Sequence, residues 1–518
     1  MPRVVCTAVL CAFVPGLSSA QDRPSELEMF GKPAAPGDGN EPSESSESSA
    51  APSSTAPTHT VTVPNTALFN NDTATADPIT IGGQLYLRAQ TTALLDQQAE
   101  DYAFSMPALL DLYFDARPND RVRGFALGRV SYDPMLPDSV NALPTVGTPA
   151  SDPGTGGSAS VASLFGQRTN APRVILDQLW LRFDIWRTFY VTAGRQHVRW
   201  GTARFWTPAD LLHLQRRNPL DVFDARRGTD MLKLHLPIPS TAWNLYAYAV
   251  WGGYNDTPTL YSISGAARAE FVAGSNELGI GAFLRRGVKP KFAADLSMAV
   301  GPFDVYAEAS LVDADEIDRV RYEPNAVLGD ELDPDAPMDT RILTRIKQAV
   351  ETYYPAYRDR GYKPQIVGGL NYSQNYGDND SFTFGLEYFY NGLGYADPSA
   401  YPGLLFPRVG RLRDPASFFY LGQHYAAAFL TFPAPFSLDL HTFTLSTLCN
   451  VSDRSCISRL DYTLQILTHL RFELFVAGVY GRSNGEFTFG IETPPIDEVR
   501  LGRQPAIFNA GLALRIGV

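Results

Sequence analysis

Short segments in which polar and apolar side chains alternate with a period of two residues recur from about residue 79 to the end of the chain. The last segment, residues 507–518, shows the pattern most clearly, because one face carries only apolar side chains: Phe508, Ala510, Leu512, Leu514, Ile516 and Val518. Such alternation is typical of β-strands with one apolar and one polar surface. We count about 18 segments of this kind, and an even number is typical of a transmembrane β-barrel. They lie near residues 81–93, 102–116, 121–132, 173–185, 188–200, 229–237, 242–252, 265–273, 277–286, 291–300, 303–313, 363–375, 380–391, 417–432, 436–448, 457–468, 471–481 and 506–518.

Every second connection between these segments is short, as at residues 118–120, 187–188, 239–241, 274–276, 301–302, 377–379, 433–435 and 469–470. The other connections are mostly long. Bacterial outer-membrane barrels have short periplasmic turns and long extracellular loops, whereas a soluble β-sandwich gives no reason for this strict order. The sequence therefore predicts an all-β, antiparallel up-and-down transmembrane barrel over residues 77–518, located in the outer membrane of a Gram-negative cell.

The N-terminal part of the chain has a different composition. Residues 1–20 contain Arg3, an apolar stretch and a small-residue cleavage site, which predicts a secretory signal peptide. Residues 21–76 are rich in Ser and Pro and have too few apolar residues to form a core. We expect a disordered periplasmic tail there.

Charge and cysteine content narrow the picture further. The net charge of -12 argues against a nucleic-acid partner, which would require a basic face. Cys449 and Cys456 are the two cysteines that follow the predicted signal peptide, and a run of turn residues separates them between two alternating segments. We expect a disulfide across the end of a hairpin. A metal pair is the alternative, although no His or third Cys lies close in sequence.

Alternation also gives the side chains that point into the barrel. If the apolar face contacts lipid, the polar face lines the interior, with mostly cations on the first six segments and acids on later ones. The predicted pore-lining residues are Arg88, Arg129, Arg182, Arg195, His197, Arg199 and Lys233 on a basic wall, and Asp295, Glu308 and Glu387 on an acidic wall. Opposed walls of this kind create a transverse field that orients dipolar solutes and admits ions. Structural salt bridges among the same charges are the alternative.

Two long connections carry signals for short helices. In the third, Thr207-Pro208 predicts a helix start, with the helix running to about Arg217. This loop could fold into the barrel and narrow it, or cap it from outside, and its constriction candidates are Arg204, Trp206, Asp210 and Arg216. A second apolar stripe predicts a helix over residues 340–353, with Asp339 as the N-cap.

The signal peptide, the strand alternation and the terminal strand resemble those of the outer-membrane porin class of Gram-negative bacteria. Within that class, residues 194–201 (Gly-Arg-Gln-His-Val-Arg-Trp-Gly) and 205–210 (Phe-Trp-Thr-Pro-Ala-Asp) resemble a segment of alginate-export-like barrels. The resemblance implies contact with outer-membrane lipid and lipopolysaccharide, and insertion by the barrel-assembly machinery. Trimers are common in the porin class, so a homotrimer stays open.

These observations favour a porin-like channel for small anionic or polar solutes, because about 18 strands enclose a water-filled space unless loops fill it. Two alternatives stay open: an export barrel for polysaccharide or protein, and a structural or adhesive barrel. We expect no enzyme, because no Ser, His and acidic residue converge on one predicted strand end. No catalytic, cofactor-binding or metal-binding residues are predicted, and no cofactor is expected.

Overall fold

The computed structural model describes residues 78–135, 172–213, 215–221, 226–239, 241–251, 263–329, 338–376, 380–405, 412, 417–489, 491–492, 502–503 and 506–517. The predicted signal peptide and the predicted periplasmic tail lie outside the described residues. Within them, no helix has both the length and the apolar character needed to cross a membrane.

Eighteen long strands account for most of the described chain. They are β1 (Ile79–Leu94), β2 (Ala108–Asn119), β3 (Val122–Tyr132), β4 (Arg173–Ile185), β5 (Phe189–Gln196), β6 (Thr229–Ile238), β7 (Trp243–Trp251), β8 (Ser264–Ala273), β9 (Asn276–Leu284), β10 (Lys291–Val300), β11 (Phe303–Asp313), β12 (Tyr362–Tyr376), β13 (Asp380–Asn391), β14 (His424–Pro433), β15 (His441–Asn450), β16 (Ser455–Leu467), β17 (Leu470–Gly481) and β18 (Ala506–Gly517).

Each of these strands pairs antiparallel with the next one along the chain. The sheet closes on itself because β1 pairs with β18, from Gln84 opposite Gly517 to Leu94 opposite Ala506. Closure leaves no free strand edge, which removes the usual site of edge-to-edge aggregation. The prediction of a closed, antiparallel up-and-down barrel is confirmed.

The two faces of the barrel wall differ in polarity. On β2, Leu112 and Phe114 are 54% and 40% exposed, whereas Asp111 and Asp115 on the other face are buried. The same division holds around the barrel, since its outer face presents mainly apolar side chains. An apolar outer face around a polar interior is the arrangement that a lipid bilayer stabilises.

Strand boundaries follow the predicted segments closely, and residues 173–185, 291–300, 303–313 and 380–391 match without change. Four segments differ. The predicted segment 102–116 is divided into a short strand, Ala103–Ser105, and β2, which begins at Ala108 and ends at Asn119. β5 ends at Gln196 and not at residue 200, so the next residues belong to a loop. β14 and β15 begin later than the predicted residues 417 and 436, and a 3-10 turn, Pro435–Ser437, lies between them. Pro435 has no N–H group for a strand ladder, and Phe436 has a left-handed backbone with φ 54°.

Only one long helix occurs in the described residues, α1 (Met338–Tyr353), with a short helix α2 (Tyr401–Leu405) in the following loop. The predicted helix over residues 340–353 is confirmed. Asp339 lies inside α1, so its prediction as the N-cap is wrong.

The predicted disulfide joins β15 to β16. Cys449 and Cys456 are direct neighbours in the register of the two strands, and their Cα atoms are 4.1 Å apart. The structure contains the bond between their sulfur atoms. It closes the hairpin at the end where β15 leads into β16.

Candidate functional site in the barrel lumen

The connection between β5 and β6, residues 197–228, runs through the interior of the barrel, and we call it the lumen loop. Both of its ends contact the buried Asp177 on β4: His197 Nε2 lies 3.1 Å from Oδ1, and the Gly228 N–H donates to the same oxygen at 3.2 Å. Its middle contacts Glu387 on β13, half the barrel away. The described part of the loop therefore crosses the full width of the lumen.

Glu387 holds the middle of the lumen loop. Its carboxylate accepts backbone N–H groups of Arg204, at 2.9 Å, of Phe205, at 3.2 Å, and of Trp206, at 2.9 Å. The Tyr306 hydroxyl donates to the same group at 2.9 Å. Carboxylates bind clustered N–H donors strongly because these hydrogen bonds are charge-assisted.

Glu308 on β11 holds the loop at a second point. Its two oxygens accept the N–H groups of Ala203, at 2.6 Å, and Ala209, at 3.2 Å. Gly201 has φ +93°, and a Cβ atom there would lie 2.3 Å from Glu308 Oε1. Only glycine therefore fits this approach of the loop to the wall.

The predicted helix from Pro208 to about Arg217 is wrong, because the described residues there form bends and turns. Contacts with the barrel wall hold this part of the loop instead. The N–H of Ala209, which lies at the predicted helix start, donates to Glu308 on the distant wall. The N–H groups of residues 203–206 also donate to Glu308 and Glu387, so the path of the loop follows the carboxylates of the barrel.

Aromatic packing fills the space on both flanks of the loop. The Trp206 ring, which is fully buried, lies 5.5 Å from that of Phe389 and 5.3 Å from that of Tyr425. On the other flank, Trp200 packs on Tyr248, with ring centroids 5.7 Å apart. These clusters occupy the interior next to β11–β16 and next to β6–β9.

Asp210 belongs to a buried polar cluster within the loop. It accepts from Arg226 Nη1 at 2.8 Å, and His213 Nδ1 lies 3.0 Å from it. Burial acts to raise the pKa of Asp210, but its contacts with His213 and Arg226 outweigh burial and hold the pKa well below its usual range. Burial and the charge of Arg226 lower the pKa of His213. The histidine is therefore neutral and donates from Nδ1 to the carboxylate.

Most arginines on the inner face of the barrel are paired with acids on the same strand or on a nearby strand. Arg129 is only 1% exposed, and its Nε lies 2.7 Å from Asp111. The other pairs of this kind are Arg123–Asp115, Arg268–Asp295, Arg459–Asp461 and Arg515–Glu473. For these residues the structure agrees with the alternative of structural salt bridges.

Arg88 differs from these arginines. It points inward from β1, and its guanidinium carbon lies 4.2 Å from the centre of the Phe475 ring. Its Nε atom is buried without a hydrogen-bond partner, and within the described part of the chain it forms no ion pair. Arg88 therefore differs from the other inward arginines in having no direct ion pair among the described residues.

Arg195 does not line the pore, and its prediction as a pore-lining residue is wrong. It stands opposite Leu179, which is 52% exposed on the outer face, and it pairs with Asp230, at 2.7 Å. In the register of the same two strands, Arg182 stands opposite Thr192. Since Thr192 and Arg195 are three positions apart on one strand, Arg182 and Arg195 lie on opposite faces of the barrel wall. The turn between β4 and β5 fixes this register, because Trp186 and Arg187 both have φ 55°.

The other predicted residues lie on the inner wall or in the lumen loop. Arg182 and Lys233 lie over the rings of Tyr190, at 4.9 Å, and Tyr246, at 4.9 Å. Asp295, Glu308 and Glu387 point inward but are buried, so they bind protein groups and not open water. His197 and Arg199 follow the end of β5, and Arg199 donates to the Ala203 carbonyl within the loop.

Two predicted constriction residues rest on aromatic rings. The guanidinium carbon of Arg204 lies 3.4 Å from the centre of the Phe429 ring, and that of Arg216 lies 4.9 Å from the centre of the Tyr420 ring. Burial lowers the pKa of Arg204 to about 10, so this group still carries its charge at neutral pH.

Sequence reasoning missed Arg268, Arg459 and Arg515 as inward-facing groups. The signal was present, since the same alternation that places Arg88 inward places these three on the polar face of their strands. The prediction considered only the positive charge on the first six segments, so the basic wall that it gave was too short. In the structure the inward arginines extend around the closure of the barrel, across β16, β18 and β1.

The fold defines a transmembrane β-barrel of the outer-membrane type. No protein-family model matches the sequence, and no curated protein sequence matches it either. Among solved structures, the chain is similar to OccAB4 of Acinetobacter baumannii, with 8% identity, a TM-score of 0.44, and coverage of 85% of this chain and 98% of that chain. It is also similar to OccAB1 of Acinetobacter baumannii (10% identity, TM-score 0.44, 85% and 96% covered) and to a variant of the Rhodopseudomonas blastica porin (9% identity, TM-score 0.37, 85% and 100% covered).

Proposed function

We propose that the protein is a porin-like channel of the Gram-negative outer membrane, and not an enzyme, and that it passes small anionic or polar solutes. The closed barrel, its apolar outer face and its polar interior support a passage through the membrane. The lumen loop supports a narrow passage, because it crosses the interior and is anchored at Asp177, Glu308 and Glu387.

One observation carries the preference for anions. Arg88, Arg204 and Arg216 each rest on an aromatic ring, and within the described residues none of the three forms an ion pair. A guanidinium on a ring keeps its edge N–H groups for an acceptor, and its planar donors match carboxylate and phosphate. A solute with a carboxylate or phosphate group would supply an acceptor for these guanidinium N–H groups.

The passage that we propose runs beside Arg88. Aromatic clusters fill the flanks of the lumen loop next to β6–β9 and next to β11–β16. The side near β17, β18 and β1 carries polar groups instead, including Arg88, Arg515 and the exposed Arg471. A hydrated ion crosses polar surface more easily than aromatic surface, since it loses less solvation.

The partners that we propose follow from the membrane location. Outer-membrane lipid and lipopolysaccharide would contact the apolar outer face, and the barrel-assembly machinery would insert the chain. A homotrimer is the oligomer to test first, because trimers are common in the porin class. An export barrel is less well supported, since two carboxylates and two aromatic clusters hold the lumen loop across the interior.

Conductance of the purified protein in a planar lipid bilayer tests this function. We expect discrete current steps of small amplitude, and a reversal potential in a salt gradient that favours anions. Absence of any conductance from folded, inserted protein would contradict a channel. A cation-favouring reversal potential would contradict the role of the arginines.

A further inference from the structure

A partly open cavity of about 100 Å³ lies between the lumen loop and the ends of β10–β13. Its lining includes Arg216, Arg217, Arg226 and Lys291, against a single carboxylate, Asp210. Lys291 also contacts Glu316, at 3.0 Å. Arg226 is paired with Asp210, at 2.8 Å, whereas Arg216 forms no ion pair within the described residues, so Arg216 is the group of this lining that can attract an anion.

His213 indicates that a ligand in this cavity also needs a hydrogen-bond donor. It lines the cavity, its Nδ1 faces Asp210 at 3.0 Å, and its Nε2 is buried without a hydrogen-bond partner in the part of the chain that the structure describes. Since Nδ1 donates to the carboxylate of Asp210, Nε2 is an acceptor. A buried acceptor without a donor is costly, so a bound group with an O–H or N–H would stabilise it.

We propose that this cavity is a binding site for a small hydroxy acid, whose carboxylate contacts Arg216 and whose hydroxyl donates to His213 Nε2. The volume corresponds to roughly three water molecules, which limits the ligand to a few heavy atoms. Arg216 already rests on the Tyr420 ring at 4.9 Å, so its side chain is held in place before the ligand arrives. Such preorganisation reduces the entropy lost on binding.

The site deepens the proposed function, since it names the class of anion that the lumen loop would select. It rests on that function only for the delivery of the ligand. Binding to protein in detergent micelles requires no conduction. A failure of binding and a failure of conduction are therefore separate results.

Calorimetric titration with glycolate tests the site, and acetate serves as the ligand that lacks the hydroxyl. We expect glycolate to bind about tenfold more tightly than acetate, which corresponds to one good hydrogen bond. Glycolamide keeps the hydroxyl but lacks the charge, and it should bind much more weakly than glycolate. Equal affinities for glycolate and acetate would overturn the proposal.

Two variants separate the contribution of the carboxylate contact from that of the hydroxyl contact. Arg216→Gln should weaken glycolate and acetate alike by about tenfold, because both carry the carboxylate. His213→Asn keeps a donor near Asp210 but removes Nε2, so it should abolish the advantage of glycolate over acetate. Arg321→Gln is the matched control, since Arg321 is largely exposed and pairs with Glu323 away from the cavity. Unchanged binding in Arg216→Gln, relative to this control, would contradict the proposal even if His213→Asn failed to fold.

Discussion

The two charged sets in the lumen are held in different ways. Glu308 and Glu387 face the lumen loop and accept its backbone N–H groups, so their charge is used to anchor a segment of the chain. The inward arginines, such as Arg129, are mostly paired with acids of the inner wall, whereas Arg88 packs on an aromatic ring and forms no ion pair within the described residues. Charge of either sign on an inner wall therefore does not by itself indicate contact with solutes. A charged side chain of the inner wall can bind a solute only if no other group of the protein already binds it.

The largest effect on folding should come from Arg129→Gln. This change leaves the buried Asp111 and Asp177 without their cation, and breaking a buried pair in this way costs about 3–5 kcal/mol. Urea unfolding of the barrel in micelles measures the loss. The opposite result is a variant that unfolds like the wild type and loses its preference for anions. It would show that Arg129 binds solutes although it is paired with acids.

Loosening the lumen loop should change conductance strongly. Glu387→Gln keeps the shape of the side chain but replaces a carboxylate that accepts N–H groups from Arg204, Phe205 and Trp206. We expect a several-fold larger single-channel conductance and faster proteolysis of the loop, because buried donors lose their charged acceptor. Asp120→Asn, at a largely exposed turn, is the control. The same current steps in Glu387→Gln and wild type would mean that the loop does not limit the passage.

A smaller effect concerns the hairpin that carries the disulfide. Cys449 and Cys456 are separated by 7 positions, so the bond closes a short loop. Replacing both by Ser should lower the free energy of unfolding by only about 2 kcal/mol, because short loops lose little entropy on closure. The barrel should still form, since the strand pairs of β15 and β16 remain. Failure of the double variant to fold would show that this hairpin depends on the bond far more than the pairing suggests.

The smallest effect should be a pH dependence at the end of β14–β16. Burial raises the pKa of Glu486 to about 8, and its carboxyl accepts from Tyr425 at 2.6 Å and Asn450 at 2.9 Å. The folded state therefore binds a proton that the unfolded chain releases near its ordinary pKa of 4.5. The stabilisation is fully present below that value and is lost as the pH rises to about 8.

Hydrogen exchange of residues 482–489 checks this dependence after correction for the intrinsic rate. Protection should fall several-fold between pH 7 and pH 8.5, a window that brackets the raised pKa of about 8. In Glu486→Gln the fall should be absent, because the amide does not titrate. A fall of the same size in the variant would assign the effect to another group.

Strand positions were predictable because each depends on local alternation. Residues 291–300 and 380–391 match without change, since a period of two and a turn residue define a strand without reference to distant parts of the chain. Arg195 shows the limit of this reasoning. Its face depends on the register with β4, which the turn at Trp186 and Arg187 sets, and a shift by one residue moves a side chain to the other face.

The path of the lumen loop could not be predicted, because it depends on contacts between residues far apart in sequence. Ala203 bonds to Glu308 and Trp206 to Glu387, across separations of 105 and 181 residues. Local propensity at Thr207-Pro208 favours a helix, and the distant carboxylates override it. The candidates Arg204, Trp206, Asp210 and Arg216 all lie on this loop, and their role in a constriction stays a prediction.

The most direct test of the account is the reversal potential of three proteins in a potassium chloride gradient: wild type, Arg88→Gln and Arg195→Gln. Arg88 lies inside and forms no ion pair with any residue that the structure describes, whereas Arg195 lies on the outer face with Asp230. We predict that Arg88→Gln shifts the potential toward cations, more strongly at low ionic strength where screening is weak, and that Arg195→Gln leaves it unchanged. A shift in Arg195→Gln alone, or no shift in a conducting Arg88→Gln channel, would contradict the claim that an unpaired inward arginine sets the preference for anions.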